Sequence, residues 1–169
     1  RLRSRRYLQD LKMQGHEKGS SPGFLVYYVV PFNIVHEDWS VYSLEDGNTL
    51  RARVILVSLR SSEVPLKKGV DVKLETQIIV KADVPPNRRG PPGHQALPEE
   101  VSDPINHGGF EISVAQSSEP WNEYYVESKI KVKLKLVLNK VWRLKDRYDS
   151  MGDPVYVANF TILNSLDIS

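Results

Sequence analysis

The sequence contains no cysteine among its 169 residues. Disulfide bonds, thiolate metal sites and a cysteine nucleophile are therefore excluded. Absence of cysteine is typical of proteins from a reducing compartment, and we expect a cytoplasmic protein. At this length a single domain can bury a hydrophobic core without covalent cross-links.

Long apolar runs and catalytic motifs are also missing. No apolar run approaches the roughly 18 residues that a membrane-spanning helix requires, so no membrane partner is predicted. The chain lacks a phosphate-binding glycine loop, a Gly-Xaa-Ser-Xaa-Gly turn and a His-Glu-Xaa-Xaa-His zinc motif. The adjacent carboxylates of Glu99 and Glu100 face different ways in a loop and form no acid/base pair. The sequence therefore predicts no cofactor and favours a non-catalytic protein.

Cationic residues are absent from residues 90–128, although the whole chain has a net charge of +2. That segment contains seven acidic side chains, whereas residues 129–145 contain seven cationic side chains and no acidic one. Residues 1–20 are also basic, with six cationic side chains against two acidic ones. Charge separation of this kind affects the choice of partner and the rate of association rather than the fold.

The clearest structural signal is the stretch from Ile130 to Leu144. Its even-numbered positions are apolar as far as Leu138, and its odd-numbered positions begin with three lysines. This period of two predicts a half-buried β-strand with one apolar face, including Leu134 and Leu136, and one cationic face. Because the apolar series is interrupted at Lys140, we predict a bend or β-bulge there rather than a hairpin turn.

Further strand signals precede and follow this stretch. Phe24–Val30 is a continuous apolar run, which predicts a strand buried on both faces. Asp46 and Gly47 have the composition of a tight hairpin turn between two strands. About seven strands with short turns predict an all-β fold, either a single antiparallel β-sandwich or a barrel.

The remaining segments flank or interrupt this β-domain. We predict a basic N-terminal arm over residues 1–22 and one all-β domain over residues 23–169. Residues 85–109 form a loop that is too rich in proline and glycine for a sheet interior and too long for a simple connection. Such loops are either functional or disordered, and the apolar side chains of Ala96, Leu97 and Val101 favour a functional loop.

The leading hypothesis for function is a non-catalytic domain that binds a protein partner or assembles into a homo-oligomer. It depends on the acidic half of the 85–109 loop, which has no cationic residue nearby in the sequence. Apolar side chains would supply the buried contact, and opposite charges would steer association. The candidate protein-binding residues are Leu97, Glu99, Glu100, Val101 and Asp103.

An alternative hypothesis is a nucleic-acid-binding β-barrel that uses a basic sheet face. If the strand of Arg51 and the strand of Lys131 were neighbours, their cationic side chains would form one patch about 10–15 Å across. Stacking of single-stranded bases also requires aromatic residues beside the patch, and none alternates with the lysines along the strand. The candidate nucleic-acid-binding residues are Arg3, Arg5, Arg6, Arg51, Arg53, Lys131, Lys133 and Lys135.

A second alternative is a metal-dependent enzyme. His36 and Asp38 share one face of a predicted strand, and His107 or His94 from the long loop could complete a site. A polar cluster on a strand is more often a solvated surface, so the sequence predicts no metal site.

Overall fold

The computed structural model describes residues 5–11, 26–127 and 129–168, the first of these segments as backbone only. In these residues it distinguishes eleven strands, against about seven expected from the sequence. The strands are β1 (Arg5–Leu11), β2 (Tyr28–Val29), β3 (Asn33–His36), β4 (Ser40–Leu44), β5 (Thr49–Ser61), β6 (Val72–Asp83), β7 (Gly109–Glu111), β8 (Val114–Ser118), β9 (Trp121–Val126), β10 (Ile130–Tyr148) and β11 (Pro154–Ile168). Helix α1 (Pro98–Ser102) and two 3-10 turns, Pro86–Arg88 and Ile105–His107, lie between β6 and β7. Among the described residues, no helix is long and apolar enough to cross a membrane.

The strands form two antiparallel sheets, which confirms the predicted all-β class. Sheet 1 has the order β1-β6-β5-β4-β8, and β2 pairs with β5 beside this path. Sheet 2 has the order β11-β10-β9-β3, and β7 pairs with β10. Strand β1 lies within the predicted basic arm and pairs with β6 at the edge of sheet 1. Over the described ranges neither sheet closes on itself.

The two sheets share one hydrophobic core. Leu50 and Val54 of sheet 1 belong to the same buried cluster as Val132 and Leu134 of sheet 2. Successive side chains of a strand point to opposite faces, so the residues between these core positions point away from the core. The outward faces of the two sheets therefore point away from this shared core.

The predicted long strand is confirmed as β10, which pairs with β11 over most of its length. Its pairing register shifts between Leu138 and Lys140, so Asn139 is the extra residue of a β-bulge, one position before the predicted interruption. A displacement by one residue exchanges the inward and outward faces of a strand. Beyond the bulge, Val141 is consequently buried whereas Lys140 is exposed.

The apolar run before β3 is not buried as predicted. Val26, Tyr28 and Val29 are 63%, 51% and 68% exposed, and in the described part of the run only Val30 is buried. Strand β2 pairs with β5 over two residues only, so this segment follows the edge of a sheet instead of lying between two strands. Apolar runs are buried on both faces only where other elements cover both faces. Phe24 and Leu25 lie outside the described residues.

Two partly buried glutamates lie where the chain crosses between the sheets. Glu37 lies between β3 and β4, and its carboxylate accepts hydrogen bonds from the backbone N–H of Leu56 in sheet 1 and the hydroxyl of Tyr124 in sheet 2. Glu119 lies between β8 and β9, and its carboxylate accepts from the Tyr42 hydroxyl at 2.9 Å and the Leu138 N–H at 2.8 Å. Each carboxylate thus joins one tyrosine and one backbone N–H from opposite sheets.

A third carboxylate joins the sheets at the predicted hairpin turn, which connects β4 to β5 as expected. Gly47 has a φ of +84°, a conformation that glycine adopts without steric cost. The Asp46 carboxylate accepts hydrogen bonds from the Tyr156 hydroxyl and from Arg143, both in sheet 2. Burial, followed by the hydrogen bond to a carboxylate, raises the pKa of the tyrosine in each of the three pairs. These hydroxyls therefore stay protonated and donate at every physiological pH.

The burial pattern of β10 generates a prediction for stability. Leu134 and Leu136 are at most 1% exposed, so replacing either by alanine should lower the free energy of unfolding by roughly 2–5 kcal/mol. Lys133→Ala, on the outward face between them, should lower it by less than about 0.5 kcal/mol. Denaturant melts measure both quantities. Equal and small effects at the three positions would contradict the assigned faces.

The buried tyrosine–carboxylate pairs generate a second prediction. Tyr42→Phe and Tyr124→Phe each leave a partly buried carboxylate with one donor fewer, so each should cost about 1–3 kcal/mol of stability. Tyr28→Phe is the matched control, because its ring is 51% exposed, and it should change stability by less than about 0.5 kcal/mol. Chemical denaturation at pH 7 distinguishes the three variants. A cost at Tyr28 equal to that at Tyr42 would contradict the role given to the carboxylates.

Candidate interaction surfaces

The 85–109 loop folds back onto the hairpin formed by β10 and β11. The backbone N–H of Gly90 donates to the carbonyl oxygen of Gly152 at 2.9 Å, and that of Gly93 donates to Asp149 at 2.8 Å. A Cβ atom on Gly93 would lie 2.4 Å from the carbonyl oxygen of Tyr148, so this close approach requires glycine. The loop is therefore packed against its own domain in this structure.

An ion pair between Glu100 and Arg147 holds helix α1 against β10. Arg147 Nη1 lies 2.7 Å from Oε1 of Glu100, whose side chain is only 5% exposed. Burial alone would raise the pKa of Glu100, but hydrogen bonds from Arg147 and from the backbone N–H of Leu97 outweigh it and lower the pKa. Glu100 is thus ionised at neutral pH and paired within its own chain.

A second buried carboxylate connects the loop, the hairpin and sheet 1. Asp153 lies in the turn before β11, and its side chain is 5% exposed. Its two oxygens lie 3.2 Å from Lys81 Nζ on β6 and 3.2 Å from Arg89 Nε in the loop. Both cations near this end of the loop are therefore already paired.

The five candidate protein-binding residues divide into two groups. Glu100 is buried in its ion pair, and Val101 packs against the small core cluster of Leu144. Leu97, Glu99 and Asp103 are exposed. The acidic half of the loop has a cationic partner after all, because folding brings Arg147 to Glu100 from 47 residues away.

An open groove lies between the loop, the β10–β11 turn and the end of sheet 1. We refer to it as the loop groove; its volume is about 1060 Å³. Large apolar side chains at its rim are exposed, with Leu97 at 42% and Met151 at 67%. The apolar lining includes Val80, Ala82, Ala96, Leu97, Met151 and Val155.

The three candidate lysines form one row on the outward face of sheet 2. Lys131, Lys133 and Lys135 pair across strands with Tyr125, Glu123 and Trp121 of β9, in that order. The Nζ of Lys131 lies 5.4 Å from the centroid of the Tyr125 ring, and that of Lys135 lies 5.7 Å from the Trp121 ring. We call these six residues the Lys–aromatic face.

One carboxylate lies at the centre of this face. Glu123 is 3.8 Å from the Nζ atoms of both Lys131 and Lys133, and 3.7 Å from Nε2 of His36 on β3. Long ion pairs between partly exposed side chains contribute little to stability. The lysines are therefore held near an anion by weak contacts that another anion can replace.

The candidate arginines are not part of this face. Arg51 and Arg53 lie on β5 and project from sheet 1, where both guanidinium groups stack on the Trp39 ring at 4.6 and 5.9 Å. The hypothesis that they form one patch with the lysines is wrong, because β5 and β10 belong to different sheets. Arg5 and Arg6 lie on β1, paired with Ile78 and Gln77, and Arg3 lies outside the described residues.

The candidate metal ligands do not converge. His36 Nδ1 lies 3.1 Å from an Asp38 oxygen, so this pair meets as predicted. His107 lies two residues before Gly109, which pairs with Leu144 of β10. His36 pairs with Glu123, which lies opposite Lys133, and along β10 these two positions are roughly 35 Å apart. Within the described residues, no group of three or more histidine, aspartate or glutamate side chains could hold a metal ion.

Several residues of these surfaces, among them Trp121, Tyr125 and Met151, were not identified as site residues from the sequence. Trp121 and Tyr125 alternate with Glu123 along β9, and this period of two was a usable signal. Only the register between β9 and β10 places their rings beside the lysines, and register depends on long-range pairing. Met151 lies in a turn, and no local pattern relates it to Leu97.

The Glu100–Arg147 pair generates a testable prediction. Arg147→Ala leaves a buried carboxylate without its partner and should lower stability by about 1–3 kcal/mol. Lys140→Ala, an exposed cation on the same strand, should change stability by less than about 0.5 kcal/mol. Thermal and denaturant melts at pH 7 measure both, and equal effects would contradict the pairing.

The same pair predicts a dependence on pH. The pKa of Glu100 is lower in the folded chain, so its contribution to stability is fully present above its unfolded value of about 4.3. The contribution is lost as the pH falls through the folded pKa. The stability difference between the natural chain and Glu100→Gln should therefore shrink below about pH 4.3. A difference that stays constant from pH 7 to pH 3 would contradict this linkage.

Comparison with protein-family models, curated proteins and solved structures finds no match to this chain. Its function is therefore argued from the geometry of its own surfaces.

Proposed function

We propose that the domain binds a partner protein, and that the loop groove receives an apolar peptide segment flanked by lysine or arginine. The observation that carries the proposal is the exposure of the apolar side chains of Leu97 and Met151 at the rim of the groove. Exposed apolar side chains around a concave surface are typical of interaction sites, because a partner can fill the groove and exclude water.

Charge favours a cationic partner. Glu99 and Asp103 are exposed on helix α1 and at its C-terminal end, and Asp149 lines the groove. Within the described ranges, Glu99 and Asp103 form no ion pair, whereas the neighbouring Lys81 and Arg147 are already paired with carboxylates. The accessible charge near the groove is therefore negative, and a cationic segment would be steered toward it.

The scaffold that we infer for this function is an antiparallel β-sandwich. One core shared by both sheets supports this architecture, and the ion pairs of Glu100 and Asp153 fix the loop to it. A fixed groove binds with a smaller loss of conformational entropy than a mobile arm. The cytoplasmic location stays a prediction from the cysteine-free sequence.

The proposal is tested by selecting peptides from a random displayed library against the immobilised full-length domain. Enriched peptides should have an apolar centre with flanking lysine or arginine. A synthetic peptide of the enriched sequence should bind about tenfold more weakly to Leu97→Ser and to Met151→Ser, because each removes a contact at the rim. Ile105→Ser is the matched control: Ile105 lies in the same loop, is 68% exposed and does not line the groove.

Two results would contradict the proposal. Failure to enrich any peptide, or equal binding to the Leu97 and Ile105 variants, would remove the groove as a peptide site. Sedimentation of the domain over a range of concentrations tests whether a second copy of the chain fills the groove instead. A mass that rises with concentration, and that Leu97→Ser abolishes, would assign the groove to a second copy instead of a partner.

A further inference from the structure

We propose that the Lys–aromatic face of sheet 2 binds single-stranded nucleic acid, independently of the loop groove. The face presents two kinds of contact in one row: ammonium groups that bind phosphates, and rings on which bases stack. Trp121 and Tyr125 are 37% and 41% exposed, so their rings are accessible from solvent. A single-stranded nucleic acid is the polymer that offers repeated anions and planar rings together.

The spacing of the row fits an extended strand. Lysines at alternate positions of β10 are roughly 6.7 Å apart along the strand, and Trp121 and Tyr125 are roughly 13 Å apart on β9. Because directly opposed side chains on neighbouring strands are about 5 Å apart, each ring lies within reach of the same nucleotide chain as the lysine opposite it. Phosphate contacts and base stacking can therefore occur at both ends of the row.

The third strand of this face is mostly uncharged. Opposite Lys133 and Lys135, strand β11 places Ser165 and Leu163, and only Asp167 opposite Lys131 is acidic. Leu163 is 44% exposed beside the Lys135–Trp121 pair, which adds an apolar surface for a base. Three lysines face Glu123 and Asp167, so the paired row itself contains one more cation than anions.

The Glu123 carboxylate already contacts two of the lysines that would bind a phosphate. It lies between Lys131 and Lys133, within 3.8 Å of both. A bound phosphate would take over these contacts, so the carboxylate competes with the ligand. Removing its charge should therefore strengthen binding, which is the opposite of what a loss of folding would do.

The geometry favours a single strand over a duplex. Stacking on Trp121 and Tyr125 requires bases that are not already stacked and paired with a second strand. A duplex could contact only the lysines through its phosphates, and its binding would not depend on the rings.

The test is fluorescence anisotropy of a labelled mixed-sequence 12-nucleotide DNA and RNA with the full-length domain at about 50 mM salt. Binding should weaken with added salt, with a slope near −2 in log affinity against log salt, as three phosphate contacts give about −0.7 each. Trp121→Ala and Tyr125→Ala should each weaken binding by about 5- to 100-fold. Trp39→Ala, on the outward face of sheet 1, is the control and should leave binding unchanged.

Glu123→Gln should strengthen binding by about two- to fivefold. This factor corresponds to the small free energy of an ion pair near the surface, which the ligand no longer has to replace. Glu111→Gln, an exposed glutamate on β7, is its control and should have no effect. The proposal is overturned if neither single strand binds at this salt, or if Glu123→Gln binds no more tightly than Glu111→Gln. Duplex binding equal to single-strand binding, with no loss in Trp121→Ala, would overturn it in favour of simple charge attraction.

Discussion

Three partly buried carboxylates link the two sheets, and the arrangement of the strands depends on keeping their hydrogen bonds. A charge that is largely removed from water is costly unless hydrogen bonds satisfy it, so each carboxylate has to keep its donors. Glu37 and Glu119 have donors in both sheets, each at a place where the chain crosses from one sheet to the other. Asp46, in the hairpin turn of sheet 1, has its donors Arg143 and Tyr156 in sheet 2. These contacts fix which strands lie opposite each other, and with them which side chains face outward.

The two proposed surfaces follow from that arrangement in different ways. The Lys–aromatic face results from cross-strand pairing within sheet 2, so it is part of the rigid sheet. The loop groove results from ion pairs that hold residues 85–109 against sheet 1 and the β10–β11 hairpin. Both surfaces are therefore preorganised, and they share no residue. Binding at one does not require the other to be empty.

Local patterns predicted the elements, and long-range pairing determined the surfaces. The alternation along β10 and the Asp46–Gly47 turn depend on neighbouring residues, and both are confirmed. Whether an apolar run such as Phe24–Val30 is buried depends on what flanks it, and the described part is exposed. The pairing of Glu100 with Arg147, and of Trp121 with Lys135, joins residues whose proximity only the fold creates. No local pattern contains that information.

We propose that one scaffold carries two separate binding surfaces. Nuclear magnetic resonance of the isotopically labelled domain tests it most directly, by titration with a basic apolar peptide and then with a 12-nucleotide single strand. We expect two sets of shifted amide signals: residues 94–101 and 149–156 with the peptide, and residues 121–135 and 163–167 with the oligonucleotide. A single shared set of shifted signals, or shifts spread over the whole domain, would contradict it.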